Sequence, residues 1–291
     1  MAGKRRIRWD RVALIFIPFV LMIVFICVQC GKKPGTAEES SRGKATFEGS
    51  EPDEPIPPDD PGETDDRQFF TVVIDPGHGG RDGGCTDPTE TRKEKDDNLR
   101  LSLLVRDYLN TYPGVRLIMT REDDTFISLS ERCRIANDAD ADLFISLHRN
   151  AADNASGVEI WVVSDAAAQN NDNSMDYRLA GYIKDWLKEV GISYDRGIRS
   201  GFRNDSDDDN YYVNRNTKMP SCLVEMGFMN SDTDNRNFDN RINEYADAIA
   251  SAIVEMGEDT GLYTEAMKRQ AEPDAAAGSA PAETAETTTA E

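Results

Sequence analysis

Between Gln68 and Tyr263, short apolar runs alternate with stretches of helical periodicity, and this alternation constrains the fold more than any other feature of the chain. The runs are Phe69–Ile74, Val115–Met119, Asp142–Leu147, Val158–Val163 and Cys222–Met226. They are too short for helices, and their apolar residues fall on both parities, as in strands covered on both faces. The stretches between them read as helices. Asp97–Asn110 sets Leu101, Val105 and Leu109 four apart and is followed by Pro113-Gly114. Ser128–Asn137 opens with Ser128 and Glu131, the two halves of a capping box. Met175–Val190 and Arg241–Met256 also carry apolar residues at helical spacing. This order predicts one α/β domain over residues 68–263, built on a single mixed, mostly parallel sheet with helices on both faces.

The flanks read differently. Lys4-Arg5-Arg6 and Arg8 precede the apolar run Val12–Val28, whose seventeen residues are near the lower limit for spanning a bilayer. The sequence after it offers no small-residue cleavage site, and Gln29 before Cys30 departs from the pattern of a lipidated cysteine. Residues 1–31 are therefore expected to be a basic cytoplasmic stub and an uncleaved anchor, with everything after them outside the cell. Residues 32–67 are rich in Pro, Asp, Glu and Ser; from Gly35 to Arg67 there are 11 acidic and 3 basic residues. Such a stretch repels itself and cannot bury a core, so it reads as a disordered linker. Residues 264–291 read as a disordered Ala/Glu/Thr tail. The net charge of −21 excludes nucleic acid as a partner, because binding its backbone needs an excess of cations. The five cysteines, Cys27, Cys30, Cys85, Cys133 and Cys222, form neither a disulfide framework nor a CxxC metal site.

The chain has two histidines, and both stand just beyond an apolar strand. His78 follows the first strand through Asp75-Pro76-Gly77, with Gly79-Gly80 after it, and His148 ends Leu143–Leu147. Glu225 lies in the strand Cys222–Met226. The carboxyl ends of parallel strands form one edge of a sheet, and ligands bind there. Two imidazoles and a carboxylate at such an edge make a catalytic zinc set, though a strand-end histidine also serves as an ordinary structural residue. The glycines suit close backbone approach to a bound group and equally suit a tight turn.

The segments TVVIDPGHGGRDGG, KEKDDNL, TREDDTFISLSER, ADLFISLHRNA, GVEIWV and RNTKMPSCLVEMGF, in that order from Thr71 to Met229, resemble the zinc-dependent N-acetylmuramoyl-L-alanine amidases of bacterial cell-wall turnover. The resemblance covers the folded region and leaves out the anchor, linker and tail. It implies a phosphorylase/hydrolase-like form of the sheet and one zinc ion (Zn2+) per domain, held by His78, Glu94 and His148. Glu225 takes the place of the catalytic glutamate. Glu90 lies near Glu94, but the KEKDDNL frame selects Glu94. Arg149, Asn150 and Asn216 are the positions expected to meet substrate. Arg121, Arg132 and Asn137 also match, and salt bridges or caps account for them equally well. Asn204–Asp209 reads as a polar surface loop near the site.

The implied reaction is hydrolysis of the amide between N-acetylmuramoyl and L-alanine in peptidoglycan, by zinc-activated water with Glu225 as general base and then acid. Two rivals stand beside it: a catalytically silent peptidoglycan-binding protein, and a zinc carboxypeptidase acting on the stem peptide. No wall-binding repeat is evident, so targeting falls to the anchor, the linker or a separate targeting or activating protein.

Overall fold

The computed structural model describes residues 69–164, 174–201 and 210–271. Six strands form one sheet: β1 (Phe70–Pro76), β2 (Val115–Met119), β3 (Leu143–Asn150), β4 (Val158–Val162), β5 (Asp195–Ser200) and β6 (Ser221–Phe228). Their order is β2-β1-β3-β6-β4-β5, and every neighbouring pair is parallel except β4 against β6. The mixed, mostly parallel sheet is the one the alternation predicts.

The helices are α1 (Glu94–Leu109), α2 (Leu129–Asp138), α3 (Ser174–Val190), α4 (Tyr212–Asn216), α5 (Asp232–Thr260) and α6 (Leu262–Ala271). Side chains alternate along a strand, so each central strand feeds two cores. Val72, Ile74, Ile145, Leu147 and Val224 pack with α1, α3 and α5. Val73, Phe144 and Leu223 face the other way, with Cys133 and Ala136 of α2 and Val213 of α4. Cys133 and Cys222 are buried free thiols.

Chain direction sets where a ligand can bind. From β1 the chain crosses through α1 to β2 on one side; from β3 it moves on to β4 on the other. Two adjacent parallel strands whose connections leave in opposite directions open a crevice at their carboxyl ends. His78 follows β1 and His148 lies at the end of β3, so both border that crevice.

Several elements differ from expectation. β5, with sequence DRGIRS, has one apolar residue and pairs only with β4, so it carries no alternation to read. α5 begins at Asp232, capped by the Ser231 side chain accepting from Asp234 N, and is interrupted at Arg241, where φ is −129°. Residues 264–271, expected to belong to the tail, are helical. Gly261 (φ 82°) ends α5, and α6 then carries the chain to Ala271, with Ala266 buried and Tyr263 packed on Phe70. A left-handed glycine cap lets a second helix start at once, which composition alone does not show. Among the described residues no helix is long and apolar enough to cross a membrane; Val12–Val28, residues 32–67 and Asn204–Asp209 lie outside them.

Candidate active site

The loop after β1 is held by two buried arginines. Arg121 donates to Pro76 O (2.8 Å) and Gly77 O (2.8 Å). Arg132 donates to Pro76 O (2.9 Å) and His78 O (2.7 Å), and pairs with Asp75 at 2.5 Å. These bonds fix a strained turn, for His78 has φ 61° and is followed by Gly79 at 133° and Gly80 at 56°. Strain of this kind persists where the surroundings over-determine it, and it clusters at functional sites. Arg121 and Arg132 are thus structural, the second of the roles left open for them.

Asp75 anchors the arrangement. Burial pushes its pKa up, but Arg132, Ser146 and Thr120 outweigh burial and hold it below the usual carboxylate range. Asp75→Asn leaves the Arg132 guanidinium buried without its counter-charge, a change typically worth about 3–5 kcal/mol. We expect that loss in urea unfolding at neutral pH. A depressed folded-state pKa means that the stabilisation is complete above the unfolded value, about 4, and drains away as pH falls through the folded one. The gap between variant and parent should therefore narrow in acid; a loss below about 1 kcal/mol at neutral pH would contradict this role.

Glu94, the first residue of α1, lies between the histidines. Its Oε1 is 3.2 Å from His78 Nε2 and 3.0 Å from His148 Nδ1, and the two rings meet edge-on at 5.0 Å. One ligand atom from each of the three residues lies within 4.8 Å of the others. The carboxylate is positioned by backbone donors, Cys85 N to Oε2 (2.8 Å) and Arg149 N to Oε1 (3.1 Å). Glu90 sits in an exposed turn (φ 56°), outside the His78, Glu94 and His148 cluster.

Charge is unevenly shared within the trio. Burial disfavours the imidazolium at His78, yet Glu94 and then Asp82, 2.8 Å from Nδ1, push its pKa up to about 10. At His148 burial wins over Glu94, and the pKa is lowered. Burial likewise opposes the Glu94 charge, but His78 and His148 hold this carboxyl well below its ordinary range. Asp82 escaped the sequence reading; its signal was a carboxylate four residues beyond His78 in the same glycine-rich turn. A carboxylate on the far nitrogen of a ligand histidine fixes the ring and its tautomer.

Glu225 stands directly beside His148 in the β3/β6 register. On its other side β4 places Glu159 opposite it. His148, Glu225 and Glu159 thus form one row on the α2/α4 face, and α2 and α4 cover that face nearer the strands' other ends. Glu159, also missed from sequence, is buried and accepts from Asn150 Nδ2 (2.7 Å), Trp161 Nε1 (3.2 Å) and Arg196 Nε (2.7 Å).

The three expected substrate positions fall in different places. Arg149 follows His148 and so points to the opposite face, where its side chain is 0% exposed and donates to Asp97 (2.6 Å) and Asn235 (2.7 Å) above the Phe238 ring. Asn150 is buried, donating to Glu159 and accepting from Ala151 N, so it orients that carboxylate. Asn216 lies before β6 begins, at the sheet edge away from His148. Its carbonyl accepts from Asn137 Nδ2 (2.9 Å) and its amide donates to Tyr212 O (2.9 Å), which ties α4 to the end of α2.

A family model described as N-acetylmuramoyl-L-alanine amidase matches residues 72–255. The chain is 36% identical over 186 residues to the uncharacterized protein YqiI of Bacillus subtilis (strain 168), covering 63% of this chain and 82% of that one. It is 35% identical over 185 residues to the N-acetylmuramoyl-L-alanine amidase LytC of the same organism, 63% of this chain but 34% of LytC. The structure is similar to the crystal structure of an N-acetylmuramoyl-L-alanine amidase from Clostridium difficile 630, with a TM-score of 0.56 and 32% identity, over 68% of this chain and 98% of the other.

Proposed function

The chain belongs to the N-acetylmuramoyl-L-alanine amidase family, and from that premise we propose that it hydrolyses the amide joining N-acetylmuramoyl to L-alanine in peptidoglycan, with one zinc ion held by His78, Glu94 and His148. The observation that carries the proposal is one juxtaposition: three clustered metal-binding side chains at the crevice, with the Glu225 carboxylate next to His148 on the same row.

The donor set fits zinc. Two imidazoles and one carboxylate, with a position left open, are a known catalytic combination. Gly77 and Gly84 leave the space that the trio occupies, since a Cβ on Gly84 would stand 2.7 Å from both Glu94 Oε2 and His78 Cδ2. When bound, zinc supplies Lewis acidity that polarises the scissile carbonyl and makes water a stronger acid. The residues do the rest. Glu225 takes a proton from the attacking water and returns it to the leaving nitrogen. Water oxygen ends in the lactyl carboxylate, and the stem peptide leaves with a free L-alanine amine. Asp82 keeps the His78 ring turned toward Glu94, while the Arg121 and Arg132 bonds keep the loop from shifting.

Chelation should abolish release of peptide from purified peptidoglycan, and added zinc should restore it. The proton on His78 competes with the metal, whereas Glu94 is already ionised and His148 already neutral. Affinity should therefore rise with pH toward about 10. The zinc concentration giving half-restoration should increase about tenfold per unit as pH falls from about 9 to about 7. Full activity after exhaustive chelation would contradict the metal; a pH-independent requirement would contradict displacement of that proton.

We further propose that Val12–Val28 remains as a membrane anchor with the catalytic domain on the cell-wall side, on the strength of the basic cluster that precedes it. The protein should then stay with membranes through alkaline extraction and be shaved from protoplasts by external protease. A mature N-terminus beyond residue 30 would identify a cleaved signal instead.

A further inference from the structure

We propose that Arg199, on β5, is a subsite for a carboxylate of the stem peptide, so that the site distinguishes acidic stems from amidated ones. This rests on the hydrolytic reading above and specifies which part of the substrate lies across β4 from Glu225.

The register places the residue. Arg199 pairs with Trp161 on β4, Trp161 pairs with Leu223 on β6, and Glu225 is two residues beyond Leu223. Paired residues share a face and alternate residues along a strand return to it, so Arg199 lies on the face that holds Glu225 and His148. Two strand spacings across and two residues along the strand separate it from Glu225, about 12 Å in all. Two extended peptide residues, at up to about 3.5 Å each, together with the arginine's own length span that gap. A stem peptide whose first amide nitrogen is at Glu225 therefore has its second residue within reach of Arg199.

The charges say what belongs there. One carboxylate, Glu159, faces two guanidinium groups. Arg196 claims it at 2.7 Å and is held further by Ser156 O and the Phe228 ring. Arg199 is left with the weaker share. Its Nε is buried 3.5 Å from Glu159 Oε2, and no hydrogen bond reaches its side chain among the described residues. Its Cζ lies 5.6 Å from the centre of the Trp161 ring, and the side chain is 40% exposed. A guanidinium beside an aromatic ring, its buried Nε turned to Glu159 and the rest of its side chain open to solvent, can take a carboxylate on its terminal nitrogens. A stem residue there with a free α-carboxylate would complete the pair, and its amide would not.

The test is calorimetric binding of the stem peptide, as free acid and as α-amide, to the full-length protein in detergent, with hydrolysis of the matching muropeptides measured in parallel. The parent should bind the acid about tenfold more tightly than the amide, the scale of one charge-assisted hydrogen-bonded pair. Arg199→Ala should bring the ratio close to one, and Arg199→Lys should keep part of it, because a lysine retains the charge without the fork. An acid-to-amide ratio of one in the parent, or a ratio unchanged in Arg199→Ala, would overturn the subsite. Absence of hydrolysis with the binding ratio intact would remove the reading it rests on and leave the anion subsite standing.

Discussion

Glu225→Gln is expected to keep its fold and its zinc and to lose at least about a hundredfold in hydrolytic rate. Glutamine is close to isosteric with glutamate, so β6 keeps its place between β3 and β4. The carboxylate directly opposite, Glu159, keeps its own donors in Asn150, Trp161 and Arg196. What disappears is proton transfer in both halves of the reaction, and general acid–base catalysis contributes about 10²–10⁴-fold. The loss should fall on kcat with little change in KM, as for an interaction made only in the transition state. Glu94→Gln should differ in kind. Glu94 is the acceptor common to both histidines, so zinc content should fall along with rate. Paired zinc and rate measurements separate the two; a Glu225→Gln protein that lost zinc while Glu94→Gln kept it would exchange their roles.

Gly77→Ala is the second large effect, and it acts through a single methyl group. A Cβ at Gly77 would stand 2.2 Å from His148 Cε1 and 2.3 Å from its Nε2, well inside contact distance. The loop has little freedom to retreat. Gly77 N donates to Leu147 O (3.0 Å), and Gly77 O accepts from Arg121 (2.8 Å) and Asn98 (3.3 Å). The ring must therefore swing, and with it one of the three proposed ligands. Disturbing a group that only supports a ligand already lowers metal affinity 10–100-fold; displacing a ligand should lower it by at least about a hundredfold, and activity with it. Gly83→Ala is the control. A Cβ there meets only Lys93 Cδ, at 3.9 Å, so binding and rate should match the parent. Near-parental zinc affinity in Gly77→Ala would mean that His148 does not hold the metal from this position.

The parts of the fold that were legible in the sequence are those in which burial leaves a compositional trace. β1, β3 and β6 are buried along almost their whole length, and their apolar runs announce both the strands and the chemistry at their ends. β5 lies at the sheet edge with a mostly polar sequence, and only the pairing with β4 reveals it. The placement of Arg149 and Asn216 has a geometric cause. Motif membership tells which residues come together but not which face or edge each one takes. Adjacent strand residues point oppositely, so a ligand at His148 sends Arg149 into the core behind the sheet. A residue that enters a strand lies at the other edge from one near its end, which removes Asn216 from the neighbourhood of Glu225. Glu159 was open to the same reasoning, being a lone charge within the buried strand VEIWV. A charge buried there needs donors on adjoining elements, and Asn150 and Arg196 supply them.

The central claim concerns which bond is cut, and mass analysis of the products tests it most directly. Purified peptidoglycan is digested with the full-length protein and zinc, and the soluble peptides and the remaining glycan are weighed. The account predicts intact stem peptides beginning with a free L-alanine amine, together with glycan strands bearing unsubstituted lactyl carboxylates. Stem peptides shortened at their carboxyl ends, still attached to muramic acid, would contradict it.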